Sequence, residues 1–349
     1  MKLIPVFQNL DYSARVIKPN VTYSVDRLTH HTLGGPRRAD ISVKGTAADM
    51  WEFAEYIGCP VTIYDDVGQT VWWGYVHEFK ASRKGARLYC RGWWERVSWR
   101  YYLNSGTNTV ETTTQISAII ANMAPFITAV DILDASGIST LETRDGKRRG
   151  SEEIEELLNA GTSSGYRLLG KVDENRRFGV YIEPLGSSVE DYWLTGDVEF
   201  GASLDTMANK VYATWTAPGS SNAHNTATYS DTDSQAAYGQ KSEQLTLSAA
   251  DATLAAAACT AELARRKYPI PTISVLDGKV SNYSGISIPD YMVRAAHWLR
   301  LKDVIPQSVD TTRLADITKI FIEEVEWSRT GGLRITPRDV PSRYQGGAL

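Results

Sequence analysis

The sequence predicts an α+β chain that is mostly β, and three observations predict it. Apolar and polar residues alternate in short runs from Ala39 to Thr336, the period-two pattern of half-buried strands. Ten Trp and eighteen Tyr make a heavy aromatic load; such rings belong to β cores and interfaces because they combine large area with few rotors. Helical spacing is confined to a few short segments. At 349 residues the chain exceeds one compact core, so about two to four domains are expected.

Residues 1–103 read as a β-rich domain with one short helix. Ala39 to Gly45 alternates, with Ile41 and Val43 on one face, and Ala47 to Ile57 has helical spacing through Met50, Trp51, Phe53 and Ala54. Pro60 to Tyr64 is a strand, and Asp65-Asp66-Val67-Gly68 supplies turn chemistry. Thr70 to Phe79 returns, with Val71, Trp73, Tyr75, His77 and Phe79 assigned to one face. Ser82 to Gly85 turns again and Ala86 to Arg91 pairs back, before the cluster Trp93, Trp94, Trp99, Tyr101 and Tyr102 closes the unit.

Residues 104–200 change character. After the polar linker Asn104 to Thr109, Thr113 or Thr114 caps a helix with Ile116, Ile119, Ile120 and Met123 on one stripe, stopped by Pro125. A second helix starts at Ser151, with Glu152 and Glu153 at its positive end and Ile154, Leu157 and Leu158 as its apolar stripe. A hairpin follows, Tyr166 to Val172 and Phe178 to Ile182. Ser203 to Trp215 then reads as one helical turn followed by a strand with Val211, Ala213 and Trp215 on one face. A strand this late, after inserted modules, suggests a barrel or sandwich whose pieces are scattered along the chain.

Ala217 to Gln244 is rich in Ser, Asn, Thr and Ala and reads as a long surface loop or hairpin tip that orders on a partner. Ser248 and Asp251 match a capping box for an Ala-rich helix that carries Arg265, Arg266 and Lys267 at its negative end and is stopped by Pro269 and Pro271. Strands resume at Thr272 to Val275, Tyr291 to Arg294 and Trp298 to Leu301. The last hairpin, Ile320 to Ser328 and Leu333 to Thr336, turns at Arg329 to Gly332 and echoes Val76 to Gly85.

Composition narrows the function classes. The net charge of −4 argues against a dedicated nucleic-acid binder, which shows a basic face, and the pairs Arg37–Arg38 and Arg265–Arg266 do not change that. Cys59, Cys90 and Cys259 are widely spaced and odd in number, as expected of reduced thiols in a chain made in a cytoplasm. No signal peptide is visible at the N-terminus, and no apolar run approaches the roughly 20 residues that span a bilayer.

Catalytic signals have plain structural readings. Gly161-Thr162-Ser163-Ser164-Gly165 matches a nucleophile elbow, but that motif needs a strand before its serine and a helix after it, and the order here is reversed. His30, His31, His77, His224 and His297 show no zinc-protease spacing, and no Cys-x-x-Cys exists. Asp65 and Asp66 are explained by a turn, and Glu152 to Glu156 by helix-start electrostatics and a solvated face. Gly34-Gly35-Pro36 is a turn. No catalytic, metal-binding or cofactor-binding residue is therefore assigned, and the chain is not expected to be an enzyme. Alternation exposes one ring of each pair Trp72–Trp73 and Trp93–Trp94, and these four are the candidate interface, with a protein partner preferred to a sugar.

In their order along the chain, several stretches resemble the baseplate-hub or tail-tip hub proteins of tailed phages and related contractile injection systems. They are Ala39 to Gly45, Pro60 to Asp65, Val71 to Val76, the helix–hairpin from Glu153, the Asn-x-Val strand in Met207-Ala208-Asn209-Lys210-Val211-Tyr212-Ala213, the Ala-rich helix and the closing Phe321 to Thr336 hairpin. The resemblance covers nearly the whole chain. It implies two tube-type β-barrel domains with small inserted helix–hairpin domains: residues 1–103 as the first barrel, 104–200 as the small domains, and a discontinuous second barrel from 201–245 and 270–337. Residues 246–269 are the helix packed on it and 338–349 a tail. It further implies a homotrimeric ring, a structural virion protein of the tail tip made in the host cytoplasm, which joins the sixfold tube to the threefold tip. The implied partners are the distal tail or tail tube protein above, the tape measure protein inside, and a central fibre, spike or receptor-binding protein below, with DNA only in transit. The mildly acidic balance suits such a conduit. The alternatives are the distal tail protein, a hexameric ring with one barrel per subunit, and, from another class, a cell-wall carbohydrate-binding protein or glycoside hydrolase using the Trp-rich surface.

Overall fold

Period-two alternation and tight turns build the first sheet. The computed structural model describes residues 2–9, 11, 15–16, 21–82, 84–101, 109–122, 126–127, 129–132, 135–137, 139–141, 149–159, 168–182, 192–205, 207–217, 221–248, 252–301 and 319–337. They form two units, one drawn from residues 1–188, 289–296 and 324–334, the other from 189–288, 297–323 and 335–349.

In the first unit the strands are β1 (Ile4–Gln8), β2 (Arg15–Val16), β3 (Thr22–His31), β4 (Gly35–Lys44), β5 (Pro60–Tyr64), β6 (Thr70–Ser82) and β7 (Gly85–Arg91). They pair in the order β3-β4-β7-β6-β5-β1-β2, antiparallel throughout. The sheet curls, bringing the Phe7 ring of β1 to 5.9 Å from Tyr23 of β3. Its concave side holds a core that includes Phe7, Leu28, Ile41, Ile63, Trp72 and Leu88. Each such fully buried large side chain contributes roughly 1.5–3 kcal/mol by burial. Helix α1 (Ala47–Glu52) starts at a capping box, in which Thr46 Oγ1 accepts the Asp49 N–H and Asp49 in turn accepts the Thr46 N–H. It tightens into a 3₁₀ turn at Phe53–Tyr56 and buries Met50, Phe53 and Tyr56 while Trp51 faces out.

The alternation expected across Thr70 to Phe79 breaks at two bulges, one opposite Ile63/Tyr64 and one between Val76 and Glu78. Each bulge inserts a residue and reverses which side chains face the core. Trp72 and Val76 therefore lie in the concave core with Val71, while Trp73 and Tyr75 point to the other side and His77 is exposed.

That other side is covered by helix α2 (Trp94–Val97), α3 (Thr112–Ala121) and α4 (Gly150–Asn159), with strands β8 (Thr109–Glu111), β9 (Ala129–Ile132), β10 (Ser139–Leu141), β11 (Leu168–Val172) and β12 (Arg177–Ile182). Ile116, Ile119 and Ile120 of α3 meet Ile154, Leu157 and Leu158 of α4 in a second core, the stripes the spacing predicts. Glu153, read with Glu152 as a helix-start carboxylate, lies in the first turn and is buried. The cap of α3 is Glu111, whose carboxylate accepts the Thr114 N–H at 3.0 Å; Thr113 lies inside the helix.

The second unit contains β13 (Tyr192–Ser203), β14 (Lys210–Thr216), β15 (Ala223–Asn225), β16 (Tyr229–Ser230), α5 (Thr232–Tyr238), β17 (Ser242–Ser248), α6 (Ala252–Arg266), β18 (Ile270–Ser281) and β19 (Trp298–Leu301). Strand β20 (Lys319–Ser328) and β21 (Gly332–Pro337) close the chain as the expected hairpin and divide between the units. β18 and β19 flank β13, and β19 pairs with the first residues of β20; the Glu324–Ser328 section of β20 pairs with β3. β14 to β17 form a sheet of their own, with β14 central.

Three sequence readings are corrected here. The helical turn expected after Ser203 shrinks to a single turn, since β13 runs through Ser203 and the Leu204 carbonyl then accepts the Met207 N–H at 3.2 Å ahead of β14. Tyr291 to Arg294 is not a strand; Asp290–Met292 forms a 3₁₀ turn after Pro289. The polar stretch Ala217 to Gln244 is not a long loop, because β15, β16, α5 and the start of β17 are built from it. Ser248 ends β17, and Asp251, its partner in the expected capping box, lies outside the described residues.

Candidate assembly surfaces

Of the four candidate-interface tryptophans, Trp72 and Trp93 are buried, and Trp73 and Trp94 are half-buried against the chain itself. Trp72 is fully buried in the concave core and Trp93 in the second core. Trp73 donates its indole N–H to the Val172 carbonyl at 3.0 Å, and Trp94 stacks on Phe178 with ring centroids 5.3 Å apart. Gly34 makes the Trp94 approach possible: a Cβ there would stand 2.4 Å from the Trp94 Cβ, and its φ of +86° suits glycine. The Gly34 N–H also donates to the Gly170 carbonyl at 2.7 Å. The Gly34-Gly35 turn is thus the seat of the β11–β12 hairpin, and the rings cement the small helix–hairpin module to the curled sheet.

Arg96 does the same from α2. Its guanidinium lies 4.1 Å from the Tyr75 ring centroid and 4.4 Å from those of Trp99 and Phe126, and is nearly buried. Desolvated cation–π contacts of this kind are the strong ones. No sequence pattern signals this cage, because Tyr75, Arg96 and Phe126 come from three separate segments.

Several charges on the sheet pair with neighbours, while Lys44 and Arg87 stay exposed. Arg38 forks onto Asp40 at 2.8 and 3.0 Å, Arg27 lies 3.8 Å from Glu326 and 3.9 Å from Asp40, and Arg37 lies 3.3 Å from Glu324. Lys80 pairs with Glu78 at 2.9 Å and lies over the Tyr89 ring. Cations so occupied present little free positive potential to a passing phosphate backbone.

In the second unit the organising side chain is Asn209, fully buried at the start of β14. Its amide nitrogen donates to the Ser234 hydroxyl at 3.2 Å and to the Gly239 carbonyl at 2.8 Å, and its amide oxygen accepts the Lys241 N–H at 2.8 Å. The Asn209 carbonyl accepts the Asp231 N–H and the Gln235 side chain, both at 3.1 Å. The Ala208 N–H donates to the Arg266 carbonyl at 2.7 Å, and the Ser234 hydroxyl donates to the Lys267 carbonyl, so the C-terminal end of α6 is tied to the same knot. Lys267 Nζ donates to Asp231 at 2.7 Å. Burial works against ionisation of Asp231, but hydrogen bonds from Lys267 and the Ser234 N–H outweigh it and hold the carboxyl below its usual range. The Asn-x-Val stretch was legible as a strand; that its Asn folds the following polar segment was not.

The titratable residues show local duties. Asp65 Oδ1 accepts the Val67 and Gln69 N–H groups at 3.0 and 2.7 Å, as a turn residue does. Glu152 accepts the Arg149 N–H at the start of α4. His30 is buried, with burial first and the Arg294 charge second keeping its pKa well below the ordinary value. Among the described residues no three His, Cys, Asp or Glu are placed to hold a metal ion, and no helix is long and apolar enough to cross a membrane. The Gly161 to Gly165 motif with Ser163 and the tail from 338 lie outside the described residues.

Large apolar side chains do remain exposed elsewhere. Trp51 is 65% exposed on α1, and Tyr283 and Ile286 are 76% and 65% exposed on the turn after β18.

No family model and no curated protein matches the chain by sequence. Solved structures do match. A tail protein from Neisseria meningitidis MC58 superposes with a TM-score of 0.65 at 11% identity, over 98% of each chain. The prophage tail protein gp18 from Listeria monocytogenes EGD-e gives 0.63 at 12% identity, over 97% of this chain and 95% of that one. The chain has the fold of phage tail proteins. The 43 kDa tail protein of prophage MuSo2 from Shewanella oneidensis shares this tail-protein fold, with a TM-score of 0.60 at 14% identity over 96% and 98% of the two chains.

Proposed function

We propose that the protein is a structural component of a phage tail, a hub at the tail tip or baseplate that closes as a homotrimeric ring and lines part of the DNA conduit. The observation that carries this reading is the end-to-end match: tail proteins from three bacterial sources share the fold over nearly their whole length and nearly all of this chain. The described surfaces suit the role. Arg27, Arg37 and Arg38 on the sheet lie against carboxylates, and the polar 217–244 stretch is structural.

In this reading the curled sheet of residues 1–103 is one tube-type barrel. The late strands β13, β18, β19, β20 and β21 supply a second, discontinuous one, so three copies present six barrels to the sixfold tube. The distal tail or tail tube protein lies above, the tape measure protein inside, and a fibre, spike or receptor-binding protein below. Native mass spectrometry across a concentration series tests the reading. A trimer supports the hub, a hexamer points to a distal tail protein, and a monomer that binds cell-wall glycan replaces both with a carbohydrate-binding function.

A further inference from the structure

Residues Pro289–Ala296 belong to the first unit, although the strands before and after them in sequence, β18 and β19, belong to the second. They form no strand. A 3₁₀ turn at Asp290–Met292 is closed by the Met292 N–H on the Pro289 carbonyl at 2.8 Å and the Val293 N–H on the Asp290 carbonyl at 3.3 Å, and bends follow. Side-chain burial holds this strap in place. Tyr291 enters the first core with its ring edge-on to Trp327 at 6.1 Å, and Val293 is fully buried. The Arg294 guanidinium donates back to the Tyr291 and Val293 carbonyls at 2.7 and 3.1 Å. The strap leaves through Ala296 at φ +66°, left-handed backbone that strains any residue with a Cβ. A segment anchored by apolar side chains and strained at its exit lifts more easily than a strand paired on both sides.

His30 is on such a doubly paired strand, opposite Pro36 of β4 and Val325 of β20. It is 4% exposed, its Nε2 has no partner among the described residues, and its ring stands edge-on to Trp73 at 6.3 Å. A backbone hydrogen bond at Val71 favours the charged form, but burial and the Arg294 charge outweigh it and keep the ring neutral. Among the described residues Arg294 is the charged group whose field reaches His30. On β20, Glu324 and Glu326 are taken up by Arg37 and Arg27, and on β4 Arg38 is taken up by Asp40. Asp290, on the strap, acts in the opposite sense: burial raises its pKa, so protonating it favours closure. Tyr291 feels Asp65 and Asp66, which with burial keep it neutral.

We propose that Pro289–Ala296 is an acid-released strap: a proton taken up at His30 meets the Arg294 charge in a buried site, and lifting the strap separates the two cations while β3 keeps its pairing. Lifting bares Tyr291, Val293 and the Trp327 side of β20, so acid turns a closed apolar contact into an open one. The device does not depend on how many copies assemble.

Hydrogen exchange of the full chain, read by mass spectrometry and corrected to protection factors for the pH dependence of exchange itself, tests it. An open state that binds the proton at the ordinary value near 6.5 gives a fall in protection of about tenfold from pH 7.5 to 5.5 in peptides covering 289–296. Protection of residues 22–31 in β3 should change by less than about twofold, because those ladder bonds persist. His30→Leu should keep the strap protected at both pH values, and His30→Gln, a second side chain that does not titrate, should do the same if the leucine variant misfolds. Ala296→Gly should raise strap protection about fivefold at each pH by removing the strain. Strap protection that is equal at the two pH values, or that falls as much in the His30 variants, overturns the proposal. So does a fall shared in step by β3, which would mean that the whole unit opens.

Discussion

Removing the Asn209 side chain is expected to unravel the segment that follows β14. Asn209→Ala deletes three hydrogen bonds, to Ser234, Gly239 and Lys241. The Ser234 hydroxyl keeps its bond to the Lys267 carbonyl, so two backbone groups, the Gly239 carbonyl and the Lys241 N–H, lose their side-chain partner. At about 1–3 kcal/mol for each such group left unsatisfied in the interior, the expected cost is about 2–6 kcal/mol, enough to dominate the stability of a domain worth ~5–15 kcal/mol. Urea unfolding followed by far-ultraviolet circular dichroism reads the total. Backbone hydrogen exchange localises it, with protection lost first at residues 231–241. Asn209→Asp sharpens the test: the carboxylate keeps an acceptor for the Lys241 N–H but faces the Gly239 carbonyl with no donor. That variant should be as unstable as Asn209→Ala at pH 7 and recover partly once its carboxyl is protonated. An Asn209→Ala protein within about 0.5 kcal/mol of wild type, or one whose exchange rises evenly over the chain, would refute the reasoning, since surface substitutions have effects of that size.

Three further expectations follow from the first unit. His30 is buried with no partner at Nε2 among the described residues, and burial with Arg294 holds its pKa well below 6.5. The unfolded chain takes up a proton below that pH and the folded chain does not. Stability should therefore be full above pH 6.5 and fall as the pH drops towards the folded pKa. Urea midpoints at pH 7.5 and 5 should diverge in wild type and converge in His30→Leu. Arg96→Ala should cost about 2–4 kcal/mol by emptying the cage of Tyr75, Trp99 and Phe126; thermal melts followed by tryptophan fluorescence report it, and Arg96→Lys should recover only part. A Cβ at Gly92 would stand 1.6 Å from the Pro36 carbonyl oxygen, so Gly92→Ala must displace backbone and should yield little soluble protein, measured by expression and gel filtration.

What the sequence determined by itself was local. Turn chemistry at Asp65 to Gly68, the stripes of α3 and α4 and the closing hairpin at β20–β21 depend on residues a few positions apart, so spacing reveals them. The order of those pieces along the chain also carried the likeness to tail proteins, which the fold then showed.

Tertiary structure decided the rest. Two bulges in β6 bring Val71 and Phe79 to the Trp72 side of the sheet, against the expected face, and a period-two reading has no means of seeing an inserted residue. One ring of each tryptophan pair was expected at a surface because alternation says which side a ring faces, not whether a later module packs on that side. The 217–244 stretch looked like loop by composition, yet it folds because Asn209, distant in sequence, bonds its backbone at Asp231, Gly239 and Lys241, while Lys267 holds the side chains of Ser234 and Asp231. Local sequence specifies which elements form; the partners that satisfy their buried polar groups and cover their apolar faces come from elsewhere in the chain, and only folding brings them together.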